Sequence, residues 1–228
     1  MLKIAPSNDK FNPLADGSTC NFELDFSFGP TTALLKELED GSQADLVILT
    51  QEAIDRLIQS QVLDGPRVDI ASTRIGIGMK SRLINNHPAI DSVESFRSFL
   101  VDAPSLAYTS DGVSGRYIAE LIERFNLTRD LAHKTKKVAG GYAAELIIKG
   151  EAHFAIQNIS ELLAVPGVQI LAPLPTQIQK ITTFSGATKK GTKVKSLAVE
   201  FLRALQTPGV LAVFERCGLE NVTSLSTY

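Results

Sequence analysis

The chain has no tryptophan, and only two cysteines and three histidines in 228 residues. Cys20 and Cys217 stand near opposite ends and form no paired-cysteine motif, so they indicate neither a disulfide framework nor a compartment. His87, His133 and His153 are scattered without ligand spacing, which argues against a metal site. Charge of one sign is also missing. The net charge of −2 gives no overall field that would recruit nucleic acid or an anionic membrane, so any anion site must be local. No run approaches the roughly 18 apolar residues of a membrane span. The first residues, MLKIAPSNDKFNPL, lack the apolar centre and cleavage site of a secretory signal. As written the chain is expected in the cytosol, or in the periplasm if a leader has been removed. Repeats, low-complexity tracts and linkers are missing too. What remains is an ordinary globular composition, 44% hydrophobic and 21% charged, with enough chain for one large domain or two small lobes.

Strand and helix signals alternate along this chain. Lys3–Ala5 reads as a short strand before a polar loop from Pro6 to Thr19. Phe22, Leu24, Phe26 and Phe28 alternate with polar residues as in a half-buried strand, and Leu34, Leu35 and Leu38 carry a helix between Pro30 and Gly41. Leu46–Leu49 is a continuous apolar run suited to a strand buried on both faces; Thr50 then caps a helix striped by Ile54, Leu57, Ile58 and Val62. Val68–Met79 is extended, and long enough to run from one lobe into another. Asn85-Asn86-His87-Pro88 is a loop and Val93–Leu100 a short helix. After a polar, basic stretch from Asn126 to Lys137, Val138–Tyr142 leads into a helix that stops at Gly150. His153–Gln157 is a strand, Ser160 a cap for a short helix over Glu161–Ala164, and Val168–Ala172 a further strand. Ile181–Phe184 is extended, and Val194–Leu205 and Pro208–Cys217 close the chain as helices. The alternation predicts an α/β fold with mostly parallel sheets.

One stretch concentrates chemistry. Ser105–Phe125 begins as a buried strand (Leu106, Ala107, Tyr108) and passes through Thr109-Ser110-Asp111-Gly112-Val113-Ser114-Gly115. It ends as a helix whose apolar stripe is Ile118, Leu121, Ile122 and Phe125. A strand, a glycine-bearing turn and a helix gather free backbone N–H groups and a positive dipole end at one point, where an anion can be held without a metal. Ser114 as a plain helix cap is the competing reading. Similar turns with hydroxyls or glycines recur at Thr31 and Thr32, at Thr50, and at Gly140-Gly141-Tyr142, and ligands of open α/β sheets bind at such strand ends. Arg74 and Arg116 can pair with a carboxylate through two N–H groups, against the alternative of ordinary surface charge. Tyr142 either lines a cleft or fills core. Two other motifs fail on spacing. Gly76-Ile77-Gly78-Met79-Lys80-Ser81 lacks the third glycine of a dinucleotide fingerprint and the spacing of a P-loop, and Gly112-Val113-Ser114-Gly115 has Arg116 where a nucleophile elbow needs glycine.

The pieces FSFGPTTALLKELEDG, ADLVILTQEAIDRLI, RVDIASTRIGIGM, SDGVSGRYIAELIERF, GGYAAELIIKGEAHFAIQNISELL and LPTQIQKITTFSGA, in this order, resemble the type II periplasmic binding protein superfamily. The branch is that of molybdate-type substrate-binding components of ABC transporters. The resemblance implies a two-lobed clamshell with crossing hinge strands, residues 1–79 and 181–228 in one lobe and 80–180 in the other, closing on a small anion. It implies ligand contacts from Ser7, Thr31, Thr32, Thr50, Arg74, Ser110, Ser114, Gly115, Arg116, Gly141, Tyr142 and Gln157, with no cofactor and no metal. The chain departs from molybdate binders in two places. Pro6-Ser7-Asn8-Asp9 replaces a serine-rich first loop, and Gln157-Asn158-Ile159-Ser160-Glu161 stands where those proteins place a tyrosine ligand. QNISELLAVPG and LPTQIQKITTFS are more similar to a side branch that includes aconitate isomerase, which implies cofactor-free proton transfer.

Three functions therefore stand as expectations. The first is a receptor for a small anion, an organic di- or tricarboxylate ahead of molybdate, working with an ABC transporter membrane subunit if exported. The second is an isomerase that shifts a proton next to a carboxylate, with Asp111, Tyr142 or Glu161 as the base. The third is an intracellular sensor or interaction domain that kept the fold and lost the ligand. Nucleic acid and membrane insertion are not expected partners.

Overall fold

The computed structural model describes residues 2–11, 20–29, 31–81 and 89–222. The loop expected at Asn85–Pro88 and most of the one expected before Thr19 lie outside them. The chain folds as two compact units, Met1–Ser72 with Thr182–Tyr228, and Thr73–Ile181. The division falls at Ser72, whereas the sequence reading places it after Met79.

The first unit contains β1 (Leu2–Phe11), β2 (Cys20–Phe26), α1 (Thr31–Glu39), β3 (Leu46–Thr50) and α2 (Gln51–Gln59). It also contains the first half of β4 (Leu63–Lys80), most of β9 (Ile181–Lys189), α8 (Lys195–Ala204) and α9 (Pro208–Arg216). Its strand order is β2-β1-β3-β9-β4. Leu46–Leu49 is apolar throughout because both of its faces are covered. Val47 and Leu49 pack with Leu34, Leu38 and Ile54 of α1 and α2, while Leu46 packs with Ala198, Phe201 and Leu202 of α8. The first strand runs well past Ala5, because the polar segment to Phe11 pairs with β2 in an antiparallel ladder that an apolar pattern does not reveal. Cys217, just after α9, is a free exposed thiol.

A charged knot ties α2 to β4 and β9 in this unit. The Arg67 guanidinium donates to Asp69 (Nε to Oδ1 2.7 Å, Nη2 to Oδ2 3.2 Å) and to both oxygens of Asp55 at 2.7 Å, and Ser185 Oγ donates to Asp69 at 2.7 Å. Burial alone would raise the Asp69 carboxyl, but the bonds from Arg67 and Ser185 and the Arg67 charge outweigh it and hold its pKa below 3.8. A carboxylate with a depressed pKa stabilises fully above its unfolded value, and that contribution is lost as pH falls through the lower folded value. Arg67→Met should therefore cost roughly 1–2 kcal/mol at pH 7, between a surface pair and a buried one, and much less at pH 2. Urea midpoints at the two pH values measure this; an equal loss at both would contradict it.

The second unit contains the rest of β4, then α3 (Val93–Asp102), β5 (Leu106–Thr109), α4 (Val113–Arg124), α5 (Thr128–Ala132) and β6 (Thr135–Val138). It continues through α6 (Glu145–Ile148), β7 (Phe154–Asn158), α7 (Ile159–Leu163) and β8 (Val168–Pro173). Its strand order is β8-β4-β7-β5-β6. Leu106 and Tyr108 of β5 and Phe154 and Ile156 of β7 bury against Phe96, Leu100, Ile118 and Leu121, whereas Ala107 and Ala155 face Ala143, Ala144, Ile147 and Leu162. A full burial of each large side chain contributes about 1.5–3 kcal/mol. The paired glycines of β4 are packing devices. A Cβ on Gly76 would lie 2.7 Å from Ile159, and one on Gly78 3.0 Å from Leu162, so the bare backbone lets α7 press onto the strand. This is why that motif is no nucleotide loop.

The α/β class holds, but the sheets are mixed rather than mostly parallel. In the second unit β5 is parallel to β6 and β7, while β4 is antiparallel to both β7 and β8. In the first, β1 opposes β2 and β3, and β3 opposes β9. The reversals come from the opening hairpin and from β4 and β9, which return the chain between units. Among the described residues no single helix is long and apolar enough to cross a membrane, and no three His, Cys, Asp or Glu side chains are grouped to hold a metal ion.

Candidate functional site

Strand register brings most of the candidate residues to one edge of the second unit's sheet. Thr109 pairs with Val138, and Ala107 with Ala155, so the carboxyl ends of β5, β6 and β7 finish together. Ile75 of β4 pairs with Asn158, which places Thr73 and Arg74 at the same edge. Each strand there feeds a turn: Ser110-Asp111-Gly112 into α4, Ala139–Ala144 into α6, and Asn158 into α7.

The turn before α4 is closed on itself. The Ser110 N–H donates to Val138 O at 2.7 Å, its Oγ donates to Asp111 Oδ1 at 2.6 Å, and Arg116 Nη1 donates to Asp111 O at 2.9 Å. Ser110, Asp111 and Arg116 are exposed, so the Arg116 contact uses one of five guanidinium N–H donors on the solvent side. Gly112, not Ser114, is the N-cap of α4; Ser114 lies within the first turn and is buried. Gly115 is there for close approach: an added Cβ would sit 1.6 Å from the Thr109 carbonyl oxygen. The helix start is thereby seated directly on the end of β5.

Gln157 is buried in β7. Its Oε1 accepts the Ala143 N–H at 3.0 Å and its Nε2 donates to Gly141 O at 3.0 Å. Gly141 has φ +77°, and Tyr142 beside it is 45% exposed, so the ring is presented at the surface and does not fill core. Glu161 sits in the first turn of α7, where its Oε2 accepts the Asn158 N–H at 3.3 Å. Burial pushes its carboxyl above the ordinary 4.5, against the opposing hydrogen bonds from Asn158 and Gln157. Of the three base candidates, Asp111, Tyr142 and Glu161, this environment distinguishes Glu161.

Three residues at this edge are absent from the contacts expected from the sequence. Thr109 Oγ1 and Asn158 Oδ1 are buried without a hydrogen-bond partner, and Thr73 Oγ1 accepts the Ser160 N–H at 3.3 Å. Asn158, rather than Ser160, is the cap of α7, a position signalled by an Asn three residues ahead of a Glu. Thr109 and Thr73 carry no such signal.

In the first unit Thr31 opens α1, and Thr50 ends β3 as the N-cap of α2 without a side-chain capping bond. Thr32 follows in α1, its side chain outside the described residues. Ser7 is separated from Thr50 by register. Leu2 pairs with Leu46 at the start of β3, and β1 runs the opposite way, so Ser7 lies about nine residue steps, ~30 Å along the strands, from Thr50.

Residues 15–220 match the family model described as bacterial extracellular solute-binding protein. An aconitate isomerase from Pseudomonas sp. is 30% identical over 223 residues, covering 96% of this chain and 82% of that protein. Among solved structures, the substrate-binding domain assigned to a molybdenum ABC transporter of Clostridium difficile superposes with a TM-score of 0.66 at 17% identity, covering 86% of this chain and 85% of that one. The Azotobacter vinelandii periplasmic molybdate-binding protein gives 0.64 at 14% identity, covering 86% of each. A match that runs through both units, over nearly the whole length, decides the family: the chain belongs to the bacterial extracellular solute-binding proteins.

Proposed function

We propose that the chain binds a small organic anion with two or three carboxylates at the carboxyl edge of the second unit's sheet. The convergence there of three strand ends, each leading into a turn or helix start, is the observation that carries the reading. The α4 start gathers backbone N–H groups and a positive dipole end at that edge. Arg74 and Arg116 lie at that edge, and a guanidinium matches a carboxylate through two parallel bonds. A tetrahedral oxyanion is the weaker fit, because Ser7, in the place of the oxyanion-binding first loop, is carried away from Thr50 at the start of α2. The partner in this reading is the membrane component of an ABC transporter. Calorimetric titration with citrate, trans-aconitate, molybdate and sulfate should give saturable heat with the carboxylates alone. No heat with any of the four removes the reading, and heat with molybdate alone replaces the carboxylate by an oxyanion.

A second reading, an isomerase, is favoured by Glu161 together with the 30% identity to aconitate isomerase. A carboxylate whose pKa is raised toward neutrality is better matched to take a proton from a carbon beside a substrate carboxylate and return it elsewhere on the skeleton. Helix N–H groups and an arginine would hold the enolate-like charge between the two transfers. Incubation with cis- or trans-aconitate in heavy water, followed by NMR, should show interconversion with deuterium incorporation; its absence removes this reading and leaves the receptor.

A further inference from the structure

We propose that Gln157 is a positioning residue that fixes the turn presenting Tyr142 and so sets the affinity of the site. The inference rests on the anion-binding reading above. The side chain is 1% exposed, yet both ends of its amide are spent on one turn: Oε1 on the Ala143 N–H and Nε2 on the Gly141 carbonyl, each at 3.0 Å. Tyr142 is the residue between the two anchor points, and its own carbonyl accepts the Glu145 N–H at 3.0 Å. The turn passes through Gly141 at φ +77°, a conformation open to glycine but not one that the chain adopts by default. A half-exposed aromatic ring on a turn bolted from beneath is held for contact with something outside the fold. Freed of its clamp, the turn would have to be ordered by the ligand itself, which lowers affinity. Gln157 therefore acts through its neighbours and is not a ligand contact.

The absence of tryptophan makes this testable, since Y142W supplies a single indole at the turn. In that background Q157L, which removes both anchors, should lower the fluorescence anisotropy and raise acrylamide quenching. Q157E, which keeps the acceptor for Ala143 but not the donor to Gly141, should fall between. With Tyr142 in place, Q157L should weaken citrate binding about tenfold in calorimetry; Q157E brings a negative charge of its own to the site and is read by anisotropy alone. Leu100→Ala, in the cluster on the other face of the sheet from Ala143 and Ala144, supplies the control for a merely structural role: it lowers the unfolding midpoint but should leave anisotropy unchanged. If Q157L does not fold, Q157E decides the clamp by anisotropy and Gln157→Met, neutral and close in volume, decides the affinity. Unchanged anisotropy in both Gln157 variants overturns the clamp, and freed anisotropy with unchanged citrate affinity overturns the positioning role. No citrate heat in the parent protein strikes the site reading and the affinity claim together, while the anisotropy still decides the clamp.

Discussion

Gly115→Ala should destabilise the protein by roughly 3 kcal/mol or more, lowering Tm by about 6–12 °C. The added methyl would lie 1.6 Å from the Thr109 carbonyl oxygen and 2.6 Å from its carbon, and both atoms belong to rigid backbone. Relief requires α4 to rise off β5, and Ile118, Leu121 and Ile122 would lose their packing with it. Two other glycines calibrate the result. At Gly112 the methyl meets only the Thr109 hydroxyl, at 2.7 Å, which a side-chain rotation can relieve; at Gly140 it meets nothing within 4 Å. The order of loss should be G115A, then G112A, then G140A near zero, read by thermal unfolding followed by circular dichroism. A G115A protein as stable as its parent would mean that the helix is not seated on the strand end.

Glu161→Gln should move stability and turnover in opposite directions. A carboxyl whose pKa is raised by folding stabilises below its unfolded value, and the contribution disappears as pH rises through the folded value. At pH 7 the ionised group is therefore a burden that glutamine removes, while its oxygen can still accept the Asn158 N–H. A gain of roughly 1 kcal/mol is expected at pH 7, shrinking toward acid pH. If Glu161 is the base, the same variant loses about 10²–10⁴-fold in proton exchange, and the parent's activity declines as pH falls through the raised pKa. If the chain is only a receptor, the variant is more stable and binds a carboxylate as well as before or better, because a negative charge has left the neighbourhood of the anion. Stability without exchange data cannot make that distinction; the pair of measurements can.

The legible parts of the molecule are those where both faces of an element are buried. Leu46–Leu49 and Leu106–Tyr108 announce themselves as strands because helices cover them on two sides, and Ile118, Leu121 and Ile122 mark α4 by their spacing. The stretch from Ser105 to Phe125 reads as strand, turn and helix for the same reason. Elements with one covered face or none went unread. The edge strand Thr135–Val138 exposes Lys136 and Lys137 and passes as polar loop, and α5 buries only Leu131, too little for a stripe. The site's fastenings were hidden differently. Gln157 bonds backbone at Gly141 and Ala143, and Gln179 binds both the N–H and the carbonyl of Ile75 at 2.9 and 3.0 Å. Such amides resemble any surface glutamine until the chain is folded around them.

The connectivity of the two units also sets an order of assembly. The second unit is one uninterrupted segment of 109 residues, whereas the first needs β9, α8 and α9 to return to strands laid down before that segment began. On the ribosome the middle segment is complete before its flanks can meet, and its collapse shortens the span that they must bridge, lowering the entropic cost of closure. The opening hairpin, α1, β3 and α2 therefore wait as an unfinished half, with the apolar face of β3 uncovered until the last helices emerge. That waiting interval, rather than the completed protein, is when the chain most needs protection from its neighbours.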